Sequence, residues 1–580
     1  MWWLVACATT TPLPGDPPSP TSIVEPTPPV TTPPGTTPPG TTPAGPADMV
    51  WTNAHVVTLD PTSSIATALA ALDGVIVWVG QEPVPPEWLG PETSVVDLAG
   101  ATVLPGLHDV HNHILEAFHP AGGTCLVGGY APLFTHEDEL ADCAGDQVGS
   151  DWVLGWGFDL WTAIYGPGDT PREVLDAAIP DRPAAIMEAS SHAAWVNSAA
   201  LAELGIDATT PDPIGGVIHK GADGEPDGIL FDAAGELAFN AGFALNPEMA
   251  ILNEDALRLG LAEAARHGVT SLGDGRSYWK RGSVEAWRAI AASGELTLRA
   301  TVPLWAYPDE DDDVQLATLA SMYAPNDSDR LSFSQVKLYA DGLTWITTGA
   351  MVEPYVGPQF AGPNGLNYFD AARLERYVTE LETVGFDMFI HAIGDRGVRE
   401  TLDAIESARN TNGDLGRRHR VTHVEWIAPE DVSRFAELDV VADIQLNGGW
   451  TKPENLHDND FLVGEDIVDE RAYRIRDLYE SGARITLSTD YDTASMSLFV
   501  GVARAADRGD QSLPSIEAAL RAVTTEAAYV LRQEHLTGSL EVGKRADLTV
   551  IDRDPFTTSD LEGTVVLSTW VDGDQVYPAL

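Results

Sequence analysis

The sequence predicts an α/β fold built on a parallel sheet closed into a (β/α)8 TIM barrel. Three observations predict it. Short apolar β-like runs recur along the chain, and each ends at polar, chemistry-bearing residues: Ala101–Leu104 running on to His108, His111 and His113, Phe333–Asp341, Phe386–His391, Arg420–His423 and Arg484–Asp490. Helix-like stretches such as Ala371 to Val384 and Val468 to Ser481 separate most of them, the alternation expected of strand–helix–strand units. At 580 residues the chain also has room for a barrel of roughly 250 residues or more, with an insertion and a second domain.

In chain order, residues 1–47 read as a lipoprotein-like signal remnant and tether. Leu4-Val-Ala-Cys7 has the form of a bacterial lipobox, and a Thr/Pro/Gly-rich tract follows to about Pro46. Such a tract stays extended because it cannot build a core. A basic segment before the lipobox is missing and its apolar run is short, which a start codon placed too far downstream accounts for. The expectation is an extracytoplasmic protein, tethered to the membrane only through a lipid on Cys7. No later segment is apolar for long enough to span a bilayer. Residues 48–103 and 535–580 contain strand-like alternation, in Val50–Leu59, Gly74–Gly80, Ala546–Ile551 and Thr564–Val571. Residues 104–534 hold the barrel, with an insertion at about 115–265 before the strand-like Val269–Asp274. That insertion carries Trp156-Gly-Phe-Asp159-Leu-Trp161 and Ser191-His192-Ala-Ala-Trp195-Val-Asn197, and is expected over the barrel mouth. It also holds Cys125 and Cys143, which are either a disulfide or two free thiols. Nine strand candidates occur in all, one more than an eightfold barrel uses.

The histidines suggest the chemistry. On a strand, residues i and i+2 share a face, so His111 and His113 aim at one place. Neutral imidazole is a common ligand for zinc-like ions. In a chain with 14 histidines one such pair says little. In a barrel, however, strand ends converge, and His391, His423, Lys337 and Asp490 also lie at strand ends. Only five lysines occur in the chain, so one inside an apolar strand is not surface decoration.

Taken together, these motifs resemble the amidohydrolase superfamily, in particular amidohydrolase family 3, the branch with YtcJ-like proteins and N-substituted formamide deformylases. The resemblance runs from about Asp48 to the C-terminus. Its markers are Pro105-Gly106 with His111 and His113, the Ser191–Ser198 segment, Val336-Lys337-Leu-Tyr-Ala-Asp341-Gly, His391-Ala-Ile-Gly-Asp395-Arg396 and Gly543-Lys544-Arg-Ala-Asp547-Leu. It implies that the two strand-bearing chain ends pair into a small β-sandwich beside the barrel. It further implies one or two divalent ions, zinc by expectation, held by His111, His113, Lys337, His391, His423 and Asp490, with Lys337 carboxylated to a bridging carbamate. The other reading of Lys337 is an ion pair with Asp341. Asp490 is implied to be catalytic as well, moving a proton from water to leaving group. Its context, Ser488-Thr-Asp490-Tyr491-Asp492, departs from the family's Ser-Asp-Trp-Pro. His192, Trp195, Asp341 and Asp395 read as substrate-binding or supporting residues, and Trp161 as an apolar wall.

The expected function is metal-dependent hydrolysis of a C–N bond in a small-molecule amide or formamide. An ester or lactone hydrolase on the same centre, or a tethered binding protein without turnover, are the alternatives; the presence of all six metal-site residues favours an enzyme. A net charge of −54, from 87 acidic against 33 basic residues, argues against nucleic acid as a partner, because phosphates would be repelled. The expected partners are a small-molecule substrate and a second copy in a homodimer.

Overall fold

The computed structural model describes residues 45–119, 125–128 and 131–578. The expected lipobox with Cys7, and the tether up to residue 44, lie outside them. Eight strands form the parallel core: β1 (Leu107–Asn112), β2 (Val269–Asp274), β3 (Arg299–Thr301), β4 (Gln335–Tyr339), β5 (Asp387–Ala392), β6 (Arg420–His423), β7 (Val441–Gln445) and β8 (Arg484–Ser488). Parallel ladders join β1 to β2 to β3, and β4 through β8 in sequence order. The short piece Leu304–Trp305 pairs with β4. Single parallel bridges, Ser277 with Leu304 and Asn112 with Tyr491, link the two ladders at either end. The barrel expected from the sequence is therefore seen as two parallel ladders joined by isolated bridges. A ladder running the whole way round is not shown.

These strands are buried along almost their whole length, as parallel strands covered on both faces must be. Helices cover them. Ala371–Val384 is an example: Asp370 caps its first turn by accepting the Arg373 N–H, and Leu374, Tyr377, Val378 and Leu381 recur at helical spacing to pack inward.

One expectation is corrected at the start of the barrel. Thr102–Pro105, the apolar run before the histidines, is not the strand that carries them. It pairs antiparallel with Leu548–Ile551 in a six-stranded sheet made from both chain ends. Pro105 ends it, and at Gly106 a Cβ would collide with Thr270, so the chain turns closely there and starts again as β1. A second, four-stranded sheet comprises Val75–Gly80, Ala68–Leu72, Met49–Thr52 and Ser94–Asp97. Trp51, Leu69 and Ile76 of this sheet and Val56, Val103, Leu548 and Trp570 of the other share one buried apolar cluster.

Between β1 and β2 the insertion builds its own five-stranded sheet, in the order Gly216–Lys220, Pro226–Asp232, Ala193–Val196, Ala184–Glu188, Val153–Phe158. Cys125 and Cys143 are joined in a disulfide, with their Cα atoms 5.1 Å apart.

Candidate metal centre

Parallel strands bring their C-terminal ends to one side, and that side gathers the histidines. His111 is the fifth residue of β1 and His113 follows the strand. Asp490 lies two residues beyond β8, and its N–H donates to the His111 carbonyl (2.9 Å), while the His113 N–H donates to the Tyr491 carbonyl (2.8 Å). The Asp490 Oδ1 atom is then 3.0 Å from His113 Nε2 and 3.4 Å from His111 Nε2. Gly275, just after β2, is required by this crowding: a Cβ there would run into the His113 ring and lie 2.8 Å from His111 Cδ2.

β4 and β5 add their own residues in register. Tyr339 pairs with His391 across the ladder and the two rings stack at 4.1 Å. His423, at the end of β6, lies 4.4 Å from His391 and 5.1 Å from His111, centroid to centroid. From the insertion, His192 stands 5.4 Å from His391. His423 and Asp490 both have positive φ, 78° and 51°, a conformation costing of order 1–3 kcal/mol for such residues and retained mainly where surrounding structure enforces it.

Below His111 lies a fully buried polar network. Its Nδ1 atom is 2.9 Å from Thr422 Oγ1, and Thr422 in turn donates to Asp443 (2.8 Å). Thr486, Ser488 and Gln445 also donate to the Asp443 carboxylate. These contacts fix the ring so that Nε2 faces the cluster, the arrangement that orients a ligating imidazole.

Burial dominates the electrostatics. Desolvation drives the His111 and His391 pKa values well below the usual imidazole range, with neighbouring cations adding to it, and brings His423 down to about 3. All three are neutral. Burial and Arg276 oppose protonation of His113, but the carboxylates of Asp490 and Glu116 outweigh them and raise its pKa. Burial also disfavours an ionised Asp490, yet the hydrogen bond and positive charge of His113 win, and its pKa is lowered.

Lys337, fully buried, has its Nζ 3.2 Å from His111 Nε2 and 3.7 Å from the Phe389 ring centre. Burial holds its pKa far below that of free lysine. The expected alternative, an ion pair with Asp341, is not formed. The Asp341 carboxylate instead accepts the backbone N–H groups of Ala350, Ile393 and Gly394 at 2.8–3.0 Å, clamping the turn after His391. Burial lifts its pKa to about 8.

The residues assembled fit a divalent cation. His111, His423 and Asp490 can each offer one atom within a 4.8 Å cluster, the imidazoles are unprotonated, and His391 Nδ1 is buried with no hydrogen-bond partner. Nitrogen and carboxylate donors of this kind suit zinc and similar ions.

The remaining predicted residues lie elsewhere. Trp195 is buried in the insertion's core, where its indole N–H donates to the Pro171 carbonyl (2.6 Å). Trp161 packs among Tyr165, Trp345, Phe360 and Phe461. Asp395 is fully buried, pairing with Arg471 and accepting the Val352 N–H (2.8 Å). Sequence reasoning missed Asp443 and Asp232. A lone aspartate in the apolar run Val441–Gln445 was the available signal for the first; for Asp232, which holds His192 Nδ1 at 2.7 Å, only the fold reveals the pairing.

The amidohydrolase family matches residues 94–577. An N-substituted formamide deformylase of Arthrobacter pascens is 29% identical over 91% of this chain and 97% of its own length. A putative amidohydrolase, YtcJ, of Bacillus subtilis is 27% identical over 91% and 99%. Among solved structures, an uncharacterised metal-dependent hydrolase from Pyrococcus horikoshii superposes with a TM-score of 0.68 at 22% identity, covering 88% of this chain and 99% of that one.

Proposed function

Because this chain belongs to the amidohydrolase family, we propose that it is a metal-dependent hydrolase cleaving a C–N bond in a small-molecule amide or formamide. The observation that carries the reading is the cluster of His111, His423 and Asp490, with neutral imidazoles around an ionised carboxylate. The similarity to a formamide deformylase supports the bond type. In this reading His111, His113, His391, His423 and Asp490 hold one or two zinc-like ions. A bound divalent ion supplies Lewis acidity toward a carbonyl and lowers the pKa of water to roughly 7.

The chain's own groups do the rest. Asp490, kept ionised by His113, accepts the proton of the attacking water and returns it to the departing nitrogen. Asp443, through Thr422, keeps His111 in one tautomer. Lys337, whose pKa burial holds far below that of free lysine, would in its neutral form add to carbon dioxide and release a proton to solvent, and the anionic carbamate so formed would help hold the ions. His192 stands at the substrate side of His391. The two ladders are read as one closed (β/α)8 barrel, and the two end sheets as a β-sandwich around their shared apolar cluster. The Cys125–Cys143 disulfide supports an oxidising compartment, consistent with export and a lipidated Cys7.

The test is metal analysis of purified protein alongside a screen of N-formyl, N-acyl and ester compounds. Bound zinc-like metal and cleavage of formamides or amides are expected. Full hydrolysis by chelator-stripped protein would sink the reading.

A further inference from the structure

Beside the histidine cluster lies a small cavity that the chemistry above does not use. Tyr339 and His192, both in ring contact with His391, form one side of it. Ser191, Asp232, Glu236, Tyr278, Trp305 and Tyr368 contribute to the rest, together with Arg276 and Arg281. Its free space is about 20 Å³, room for one water or a group of that size, since a single water centre needs ~10–15 Å³.

Among the side chains lining this cavity the unmet hydrogen-bonding demand is mostly for donors, the Trp305 indole being the one buried N–H donor there without a partner. Asp232 is 5% exposed, and its Oδ1 is satisfied by His192 (2.7 Å) and the Tyr368 hydroxyl (2.9 Å), yet Oδ2 is buried with no partner. Glu236 Oε1 and Ser191 Oγ are likewise buried and without partners. A buried carboxylate oxygen left bare is costly, so it calls for a donor. Neither guanidinium group hydrogen-bonds these oxygens, although both lie close enough to favour an ionised Glu236. Arg276 Nε pairs with Glu116 (3.1 Å), and Arg281 Nε donates to Asn240 (2.9 Å) while its Cζ lies 3.6 Å from the Tyr278 ring centre. Asp232, Glu236 and Glu116 set three carboxylates against two guanidinium groups, with aromatic faces from Tyr278, Trp305, Tyr339 and Tyr368 around them. Carboxylate acceptors and aromatic faces in a space of this size fit a compact cation with N–H donors.

We propose that this cavity is a specificity subsite for a primary ammonium group of the substrate, with Asp232 and Glu236 as its acceptors. The proposal rests on the reading of the adjacent centre as a C–N hydrolase. It selects, among small amides, those carrying an alkylammonium arm beside the scissile bond. Burial raises the Glu236 pKa to about 7 against the opposing pull of Arg281, Arg276 and a Tyr278 hydrogen bond; an ammonium ion brought alongside would favour its ionised form.

The test uses metal-loaded protein and two formamides that differ by one group, N-(3-aminopropyl)formamide and its neutral counterpart N-butylformamide, with calorimetric titration of n-butylammonium run in parallel at pH 7. The expected result is at least about tenfold higher kcat/KM for the aminopropyl compound, n-butylammonium binding to the wild type, and about tenfold loss of both in Glu236→Gln. Asp232→Asn serves as a second variant, with thermal melts confirming that each is folded. Equal kcat/KM for the two formamides, or n-butylammonium binding that neither variant weakens, would overturn the subsite while leaving the hydrolase reading standing. If neither formamide is cleaved but n-butylammonium binds and both variants weaken it, the subsite stands and the C–N hydrolase reading fails.

Discussion

Asp490 holds His111 at two points: its backbone N–H donates to the His111 carbonyl at 2.9 Å, and its carboxylate lies 3.4 Å from the same residue's Nε2. One residue thereby sets both the position of β1 against the end of β8 and the charge facing the imidazole.

The two contacts are separable. Asn is the substitution that tolerates the positive φ at position 490 and leaves the backbone bond in place. Asp490→Asn is therefore expected to melt within a few degrees of wild type, with kcat falling by about 10²–10⁴-fold. Steady-state kinetics and a thermal melt decide it, and retained kcat would remove Asp490 from proton transfer.

Lys337→Ala should abolish most activity and reduce metal content, and acetate or propionate should partly restore both by occupying the vacated space. Lys337→Arg should not be rescued, because guanidinium stays cationic. Metal analysis with and without acetate is the measurement; a fully active, metal-replete Lys337→Ala enzyme would eliminate the carbamate.

Gly275→Ala places a methyl group against His113 and His111. Metal content and kcat/KM should both drop by at least about tenfold, whereas an alanine on an open surface would be neutral. Wild-type behaviour of this variant would mean the rings have more room than the structure gives them.

Asp395→Ala should act on stability and not on substrate affinity. It removes one of the carboxylates paired with Arg471, which keeps Glu353, and leaves the Val352 N–H without its acceptor, at a cost of about 1–3 kcal/mol. Denaturant unfolding should show this. A raised KM with unchanged stability would restore Asp395 as a substrate contact.

Reducing the Cys125–Cys143 disulfide, whose partners are 18 residues apart, should lower stability by about 3 kcal/mol, chiefly by freeing the unfolded chain. Melts with and without a thiol reductant test this, and an unchanged transition would show that the crosslink carries no stability.

Much of this was legible in the sequence wherever one residue carries its own signal. His111 and His113 stand two apart after Pro-Gly, His391 and His423 close apolar runs, and Lys337 is rare by composition and surrounded by apolar neighbours. The register that lets Tyr339 stack on His391 also follows from those runs, once they are parallel neighbours. What could not be read depends on separations that no local pattern encodes. The run Ala101–Leu104 looks like a barrel strand because its apolarity is that of any buried strand, and only its partner Leu548–Ile551 assigns it to the end sheet. Trp195 reads in its motif as a substrate-binding or supporting residue, yet it lies fully buried in the insertion's core. Asp232 is one acidic residue among 87 acidic side chains until the insertion sheet sets it beside His192.

The pairing of Val103 with Val550 has a consequence for biosynthesis. The strand laid down just before the first histidines leaves the ribosome hundreds of residues ahead of its antiparallel neighbour. Until Leu548–Ile551 arrives, Thr102–Pro105 presents a bare, apolar edge, the kind of surface on which unfinished chains associate with one another. Removing Leu548–Ile551 would leave that exposure permanent, so its loss would do its damage at Thr102–Pro105, far away along the polypeptide.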